Sequence, residues 1–512
     1  MADTPRGRGN LSTMSPGVAC FAAWLVEPIN NITLVLFRIT FGLLIFIEIN
    51  KTWAARVEMI STKPIRFPYL GFEWVPLVPG SVAVIVHVVL AVACVGIAVG
   101  LWFRMAAIVF CLGYTYTFLV DRAYFNNHFY LICMLGGWLA VGDAHRRWSF
   151  DAIRFPSLAS RSVPRWEVLG PAIQMALPYV FGGIAKINPD WLRGEPMRAM
   201  LWGLWDYPLY AGIVGRPWAG VVLAWAGLLF DLFIVPALLW PRTRLLAVVT
   251  MIFFHVTNMN MLDIGIFPWL GIGATVLFMP PRLVQQWLTQ WSETLFGRRS
   301  SSMRALSSPL PEARCSPIVL WGFVAWFAVQ AVLPFRHYLI PGNVGWTREG
   351  FYFAWTMKRD RKSDFVGFHV CDPVTGECEA IDHNQDLTFV QQYWMPGEPQ
   401  GIVRYAKFLR ERAISGGLQD PVIVCDSVSS LNGRPYQYMI DPSLDPSELT
   451  VPIYGHAPWI VPLNESAPIG NYKTGAAKEA AVMAVVEDVR LRRGIFPERL
   501  RGKRIVDVTP KE

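Results

Sequence analysis

A succession of apolar runs constrains this chain more than any other feature. They lie at about 33–49, 81–103, 105–120, 128–141, 168–186, 219–240, two halves of 245–279, and 317–333. A helical crossing of a bilayer needs roughly 20 mainly apolar residues, because no water is present there to satisfy an open backbone. The run 245–279 is too long for one crossing and is split near Asn258 to Asp263, which puts His255 beside a break. The run 128–141 is short and opens on Asn126-Asn127-His128, so it reads as partly re-entrant with polar groups facing a cavity. With 53% hydrophobic and 16% charged residues, the 512-residue chain is too apolar for a soluble fold. The expected fold is a polytopic α-helical membrane bundle of about nine spans over residues 31–334, behind a lead of residues 1–30 that carries no evident signal peptide.

The net charge of +8 does not point to nucleic acid, because the basic residues gather in loops between apolar runs. Residues 145–165 hold His145, Arg146, Arg147, Arg154, Arg161 and Arg165, and a Ser/Arg-rich loop is expected over 282–316. Nine crossings from a cytoplasmic amino terminus put both basic loops inside and everything after the last span outside. Residues 190–217 mix tryptophan with charge and read as an interfacial stretch. In the first span Arg38 and Glu48 are too far apart to pair along one face, so each is expected to find a partner elsewhere.

From about Phe335 the pattern changes to alternating runs such as Phe365-Val366-Gly367-Phe368-His369-Val370 and Pro421-Val422-Ile423-Val424-Cys425. A β-rich extramembrane domain is expected over 335–463. Residues 464–512 then give an Ala-rich helix at 475–493, a capping Gly494 and a basic tail read as a solvated surface segment. Cys371 and Cys378 flank a turn-rich Asp-Pro-Val-Thr-Gly-Glu. They either bridge across a hairpin, which requires an oxidising compartment, or remain thiols.

The run 168–186 ends on Lys186. An ionisable group at membrane depth costs at least about 2.5 to 3.5 kcal/mol at a helix centre. One reading is an end-of-helix lysine that snorkels to the headgroups. The other is a desolvated amine serving as a base. His128 with Asn127, and His255, bring polar groups onto two other apolar segments, and convergence of three such clusters is what a site requires. Without that convergence the chain would be a transporter or scaffold in which Lys186 pairs with Asp231 or Glu48.

Four motifs, FGGIAKINPDW, NNHFYL, FHVTNMNMLDIGIF and PGNVGWTREGFYFAW, together resemble the vitamin K-dependent gamma-carboxylase family with its horizontally transferred transmembrane (HTTM) domain. The resemblance implies a multi-pass enzyme, here of a bacterial inner membrane. Lys186 would deprotonate vitamin K hydroquinone or a menaquinol, and dioxygen would then give an epoxide and an alkoxide. That alkoxide, the intermediate that collapses to the epoxide, would remove a γ-proton from a glutamyl peptide, whose carbanion captures carbon dioxide, with no metal involved. It further implies that Asn127, His128, His255 and Trp355 contact quinol or substrate. The animal proteins carry a histidine and an arginine after a Tyr-Ser-Trp element, whereas here Phe353-Ala354-Trp355 leads into Thr356-Met357-Lys358-Arg359-Asp360-Arg361-Lys362. The cationic candidates for a substrate carboxylate are therefore Arg359, Arg361 and Lys362. The altered segment also keeps open quinol oxygenation without carboxylation.

Overall fold

The computed structural model describes residues 15–201, 212–262, 264–296 and 317–500. Its first part is a helical bundle: α1 (Ile32–Lys51), α2 (Gly80–Val99), α3 (Phe103–Val120), α4 (Asn127–Val141), α5 (Arg165–Ala185), α6 (Pro217–Leu239), α7 (Arg244–Met261), α8 (Phe267–Ala274), α9 (Pro281–Phe296) and α10 (Pro317–Val332). Seven of the described helices are long and apolar enough to cross a membrane. The pair 267–278 and 281–294, bent by 107°, adds an eighth if it forms one span. The expectation of about nine thus meets seven crossings, one bent pair and the 15-residue α4.

These segments are helical because only a helix closes its own backbone hydrogen bonds in an apolar solvent. Pro171 and Pro178 sit inside α5. Each removes a hydrogen bond that packed neighbours must offset. The 245–279 run breaks after Met261 as expected, with Asp263 outside the described residues.

One expectation is corrected. The stretch from 282 begins as helix α9 and not as loop. Its apolar residues Leu283, Val284, Trp287, Leu288 and Trp291 recur at helical spacing, a signal that the polar residues between them hide in a hydropathy average. Residues 297–316, the rest of that expected loop, lie outside the described residues, as do 202–211 of the interfacial stretch and 501–512 of the tail.

The 20 residues of α1 run from one end of the bundle to the other, about 30 Å at 1.5 Å per residue. Just before it, β1 (Pro28–Asn30) pairs antiparallel with β2 (Ser162–Pro164) of the basic stretch. Arg38 is fully buried and donates to the carbonyls of Ala144 and Trp148, so its partners are loop backbone and not a helix carboxylate. At the opposite end, the loop after α1 meets the second domain: Ile65 and Phe67 share a core with Phe368, Tyr405 and Ile423.

That second domain is built on one four-stranded antiparallel sheet in the order β4 (Cys378–Ile381), β3 (Lys362–Cys371), β5 (Val422–Leu431), β6 (Gln437–Tyr438), with α11 (Pro399–Ser415) packed on it. The two runs read as strands, 365–370 and 421–425, lie side by side, with Phe368 opposite Cys425. Cys371 and Cys378 face each other across the β3–β4 hairpin and form a disulfide. The Ala-rich helix α12 (Gly475–Glu487) is present. Its continuation, still within the expected helix, packs on the sheet: Arg490 is 3% exposed and donates to Asp426 and to the carbonyl oxygens of Cys425 and Pro442.

Candidate active site

Lys186 terminates α5, where Asn188 and Pro189 start a short turn of helix, Pro189–Leu192. The lysine is 7% exposed. It does not snorkel. Its Nζ forms an ion pair with Asp231 of α6 and donates to the Gly182 carbonyl at 3.3 Å, with the Trp191 ring 5.2 Å away. Asp231 is itself 4% exposed, in the middle of an otherwise apolar helix. Removing either partner would strand a buried charge, at a cost of about 3 to 5 kcal/mol.

Two turns back on α5, Tyr179 shares a 2.9 Å hydrogen bond with His255 Nε2 of α7. Both are buried, and Phe230, the neighbour of Asp231, packs against both rings. This approach depends on Gly271 of α8. A Cβ there would lie 2.4 Å from His255 Nε2 and 2.9 Å from the Tyr179 hydroxyl. The other histidine, His128, faces the start of the same segment. Gly265 has φ of +54°, and a Cβ on it would stand 3.5 Å from both His128 Nε2 and Glu48 Oε1. The seven residues from Gly265 to Gly271 therefore bridge His128 and His255. Asn126 caps α4 by accepting from the His128 N–H at 3.4 Å, which leaves the Asn127 side chain uncommitted.

A third element closes the region from the second domain. Phe353, Trp355 and Lys358 all have positive φ, at 63°, 56° and 50°. Such conformations cost of order 1 to 3 kcal/mol each and persist only where packing enforces them. Here the enforcement is aromatic: Trp355 lies 4.8 Å and Phe353 5.0 Å from the Tyr130 ring of α4. Met357 reaches α5, its Cε 3.2 Å from where a Gly182 Cβ would be, beside Asp231 and Lys186.

The structure thus draws Lys186, His255, Asn127, His128 and Trp355 around one set of helices. Several of their polar atoms are buried without a hydrogen-bonding partner among the described residues, namely Asn127 Oδ1, His255 Nδ1 and Trp355 Nε1, together with Thr356 Oγ1. The three cationic candidates part company. The Lys362 side chain is 2% exposed and donates to the Gly397 and Trp346 carbonyls at 2.7 and 3.2 Å. Burial pulls its pKa down to about 8, opposed by Asp364. Arg361 donates to the Ala199 carbonyl, with its guanidinium over Tyr472, and is otherwise exposed. Arg359 makes no hydrogen bond or ion pair among the described residues.

The sequence did not single out Tyr179, Gly265, Gly271 or Met357 as part of this arrangement. Tyr179 stood two residues before the Lys186 motif, Gly265 inside the motif that carries His255 and Met357 in the altered segment, none with a role of its own; Gly271 gave no signal. An apolar cavity of about 360 Å³ lies on the far side of α8, between Leu36, Val248, Thr275 and Trp287, and includes none of the candidate residues.

Comparison with known families matches residues 26–283 to the HTTM domain and residues 315–466 to the vitamin K-dependent gamma-carboxylase lumenal domain. No solved structure matches the chain. The HTTM match alone covers half of the chain, and the two matches follow one another along a helical bundle and a disulfide-bearing domain; this protein belongs to the vitamin K-dependent gamma-carboxylase family.

Proposed function

We propose that the chain oxygenates a reduced vitamin K-type quinol inside the bundle and couples that oxygenation to γ-carboxylation of glutamyl residues, with dioxygen and carbon dioxide as co-substrates. The observation that carries this is Lys186, buried at the end of α5 against Asp231, on the helix whose Tyr179 hydrogen-bonds His255. A quinol ring presents two oxygens and two apolar faces. Asn127 Oδ1 can accept from a quinol hydroxyl, and Trp355 Nε1 can donate to a quinol oxygen; Phe353, Tyr130 and Phe230 provide aromatic walls.

The proton shared by Lys186 and Asp231 passes to the carboxylate, and the neutral Lys186 amine so formed takes a proton from the bound quinol. Asp231 also fixes the direction of the amine. His255, oriented through Nε2 by Tyr179, keeps Nδ1 for the substrate oxygen. His128 and Asn127 line the other side. The quinol supplies, when bound, the electrons that activate dioxygen. The apolar bundle excludes water, which would otherwise protonate both the amine and a reacting glutamyl carbon. Arg359, with Arg361 beside it, holds the glutamyl carboxylate at the domain boundary, while Lys362 is committed to main-chain carbonyls.

In this reading the bundle ends near residue 334, and the domain of residues 335–463 lies outside the cytoplasm of a bacterial cell. The disulfide and the placement of the basic stretch 145–165 at the opposite end of the bundle support that orientation. The test is purified protein given a reduced naphthoquinone, dioxygen, labelled carbon dioxide and a glutamyl peptide. Epoxide formation together with label in the peptide is expected. Epoxide without label on any peptide would leave a quinol oxygenase, and neither product would leave the scaffold reading.

A further inference from the structure

Lys186 is followed at once by a contact that joins the two domains. Asp190, four residues on and 8% exposed, accepts from Arg434 Nη1 at 2.6 Å, from Arg434 Nη2 at 3.0 Å and from Asn432 Nδ2 at 2.8 Å. Both donors lie on the turn between β5 and β6 of the second domain and are themselves buried. Burial alone would raise the Asp190 pKa, but the hydrogen bonds from Arg434 and Asn432 hold it below the usual carboxylate value.

The intervening backbone is stiff. Asn188 accepts from the Trp191 N–H and donates to the Ala185 carbonyl, both at 3.0 Å, and the Asn188 N–H donates to the Lys186 carbonyl at 2.9 Å. The next residue, Trp191, sets its ring beside the Lys186 ammonium and donates to the Ala224 carbonyl at 2.8 Å. One short turn is therefore clamped from the second domain through Asp190 and from α6 through Trp191, with Lys186 at its start.

We infer that Asp190, gripped by Arg434 and Asn432, is a positioning residue for Lys186, so that the second domain sets the place of the amine inside the bundle. The inference rests on Lys186 acting as the base. Other contacts keep the domains docked without it: Gln391 donates to Asp121 at 2.8 Å and Arg122 to Gln400 at 2.7 Å. A bidentate arginine–carboxylate pair fixes direction as well as distance, which a lysine cannot reproduce. A displacement of about 1 Å at a reacting group can cost about 100-fold in rate.

The experiment compares Arg434→Ala and Arg434→Lys in the full-length protein by epoxide formation. The turnover number should fall about 100-fold in the first and about tenfold in the second, with KM for the quinol changed by less than about twofold. In a Lys186→Ala background supplied with a small soluble amine, adding Arg434→Ala should leave the amine-supported rate unchanged, because a free amine does not depend on the turn. An unchanged turnover number in Arg434→Ala overturns the inference, as does an equal loss in the amine-supported reaction, which would show a general structural role. If Arg434→Ala does not accumulate, Arg434→Lys carries the same comparison. If Lys186→Ala alone keeps wild-type epoxide formation, the base assignment falls, and that result is distinct from any behaviour of Arg434.

Discussion

Two lysines buried in similar company, Lys186 and Lys362, differ in how many of their protons are committed. Lys186 and Lys362 each lie beside an aspartate, a tryptophan ring and backbone carbonyls. Lys362 donates to two carbonyls and to Met439 Sδ, with Asp364 at 3.8 Å, so all three of its protons find acceptors in the folded chain. Lys186 has two acceptors among the described residues, Asp231 and the Gly182 carbonyl. A lysine whose donors are all met by fixed groups is a strut. One with capacity to spare can exchange a proton with something that enters.

The largest expected effect separates the two directly. Lys186→Met should lower epoxide formation by about 10²- to 10⁴-fold, the usual worth of a general base, while Lys362→Met should keep most of it. Rates from purified, folded protein decide this, and equal losses would erase the distinction. Next in size is Asp231→Asn, which leaves Lys186 in place but removes the group that directs it; turnover should fall about tenfold or more. An unaffected turnover would make the ion pair purely structural.

A smaller effect tests the cation left uncommitted. Arg359→Gln should raise KM for a glutamyl peptide by roughly ten- to 150-fold, the equivalent of a lost charge-assisted hydrogen bond of about 1.5 to 3 kcal/mol, while epoxide formation stays the same. Loss of epoxide as well would place the residue at the quinol.

The smallest effect is on stability. The pKa of Lys362 is about 8 in the folded chain against 10.5 for a free lysine, so the unfolded chain holds its proton more tightly. The resulting penalty is fully present at neutral pH and is relieved as pH rises through about 8 toward the unfolded value. Lys362→Met has no such group, so the melting temperature of the wild type should gain on that of the variant between about pH 7.5 and 9.5. A wild-type melting temperature that stays level with or falls relative to that of the variant over that interval would show that burial does not depress this lysine.

The same two lysines show how far the sequence could be read. Lys186 announced itself, because a charge closing an apolar run is rare and its motif is shared with a family. Lys362 looked equally available within a basic segment, since nothing in Arg361-Lys362-Ser363 says that β3 turns the side chain into a core. The apolar runs and the cysteine hairpin were legible, because hydropathy and turn spacing are local properties, whereas the bridge itself was left open because spacing alone does not fix its geometry. Partnerships were less legible. The pairing of Lys186 with Asp231, across 45 positions, was one of two that the sequence offered, the other being with Glu48, while the grip of Arg434 on Asp190, across 244, left no signal. Helix α9 was missed for another reason: its stripe of apolar residues covers one face only, and averaging over both faces made it look like loop.

The central claim is that Lys186 supplies the base, and chemical rescue tests it most directly. Lys186→Ala, inserted and folded, should form almost no epoxide from a reduced naphthoquinone, and a small amine added from solution should restore part of the rate in proportion to its concentration. Wild-type epoxide yield from Lys186→Ala without added amine would contradict the account.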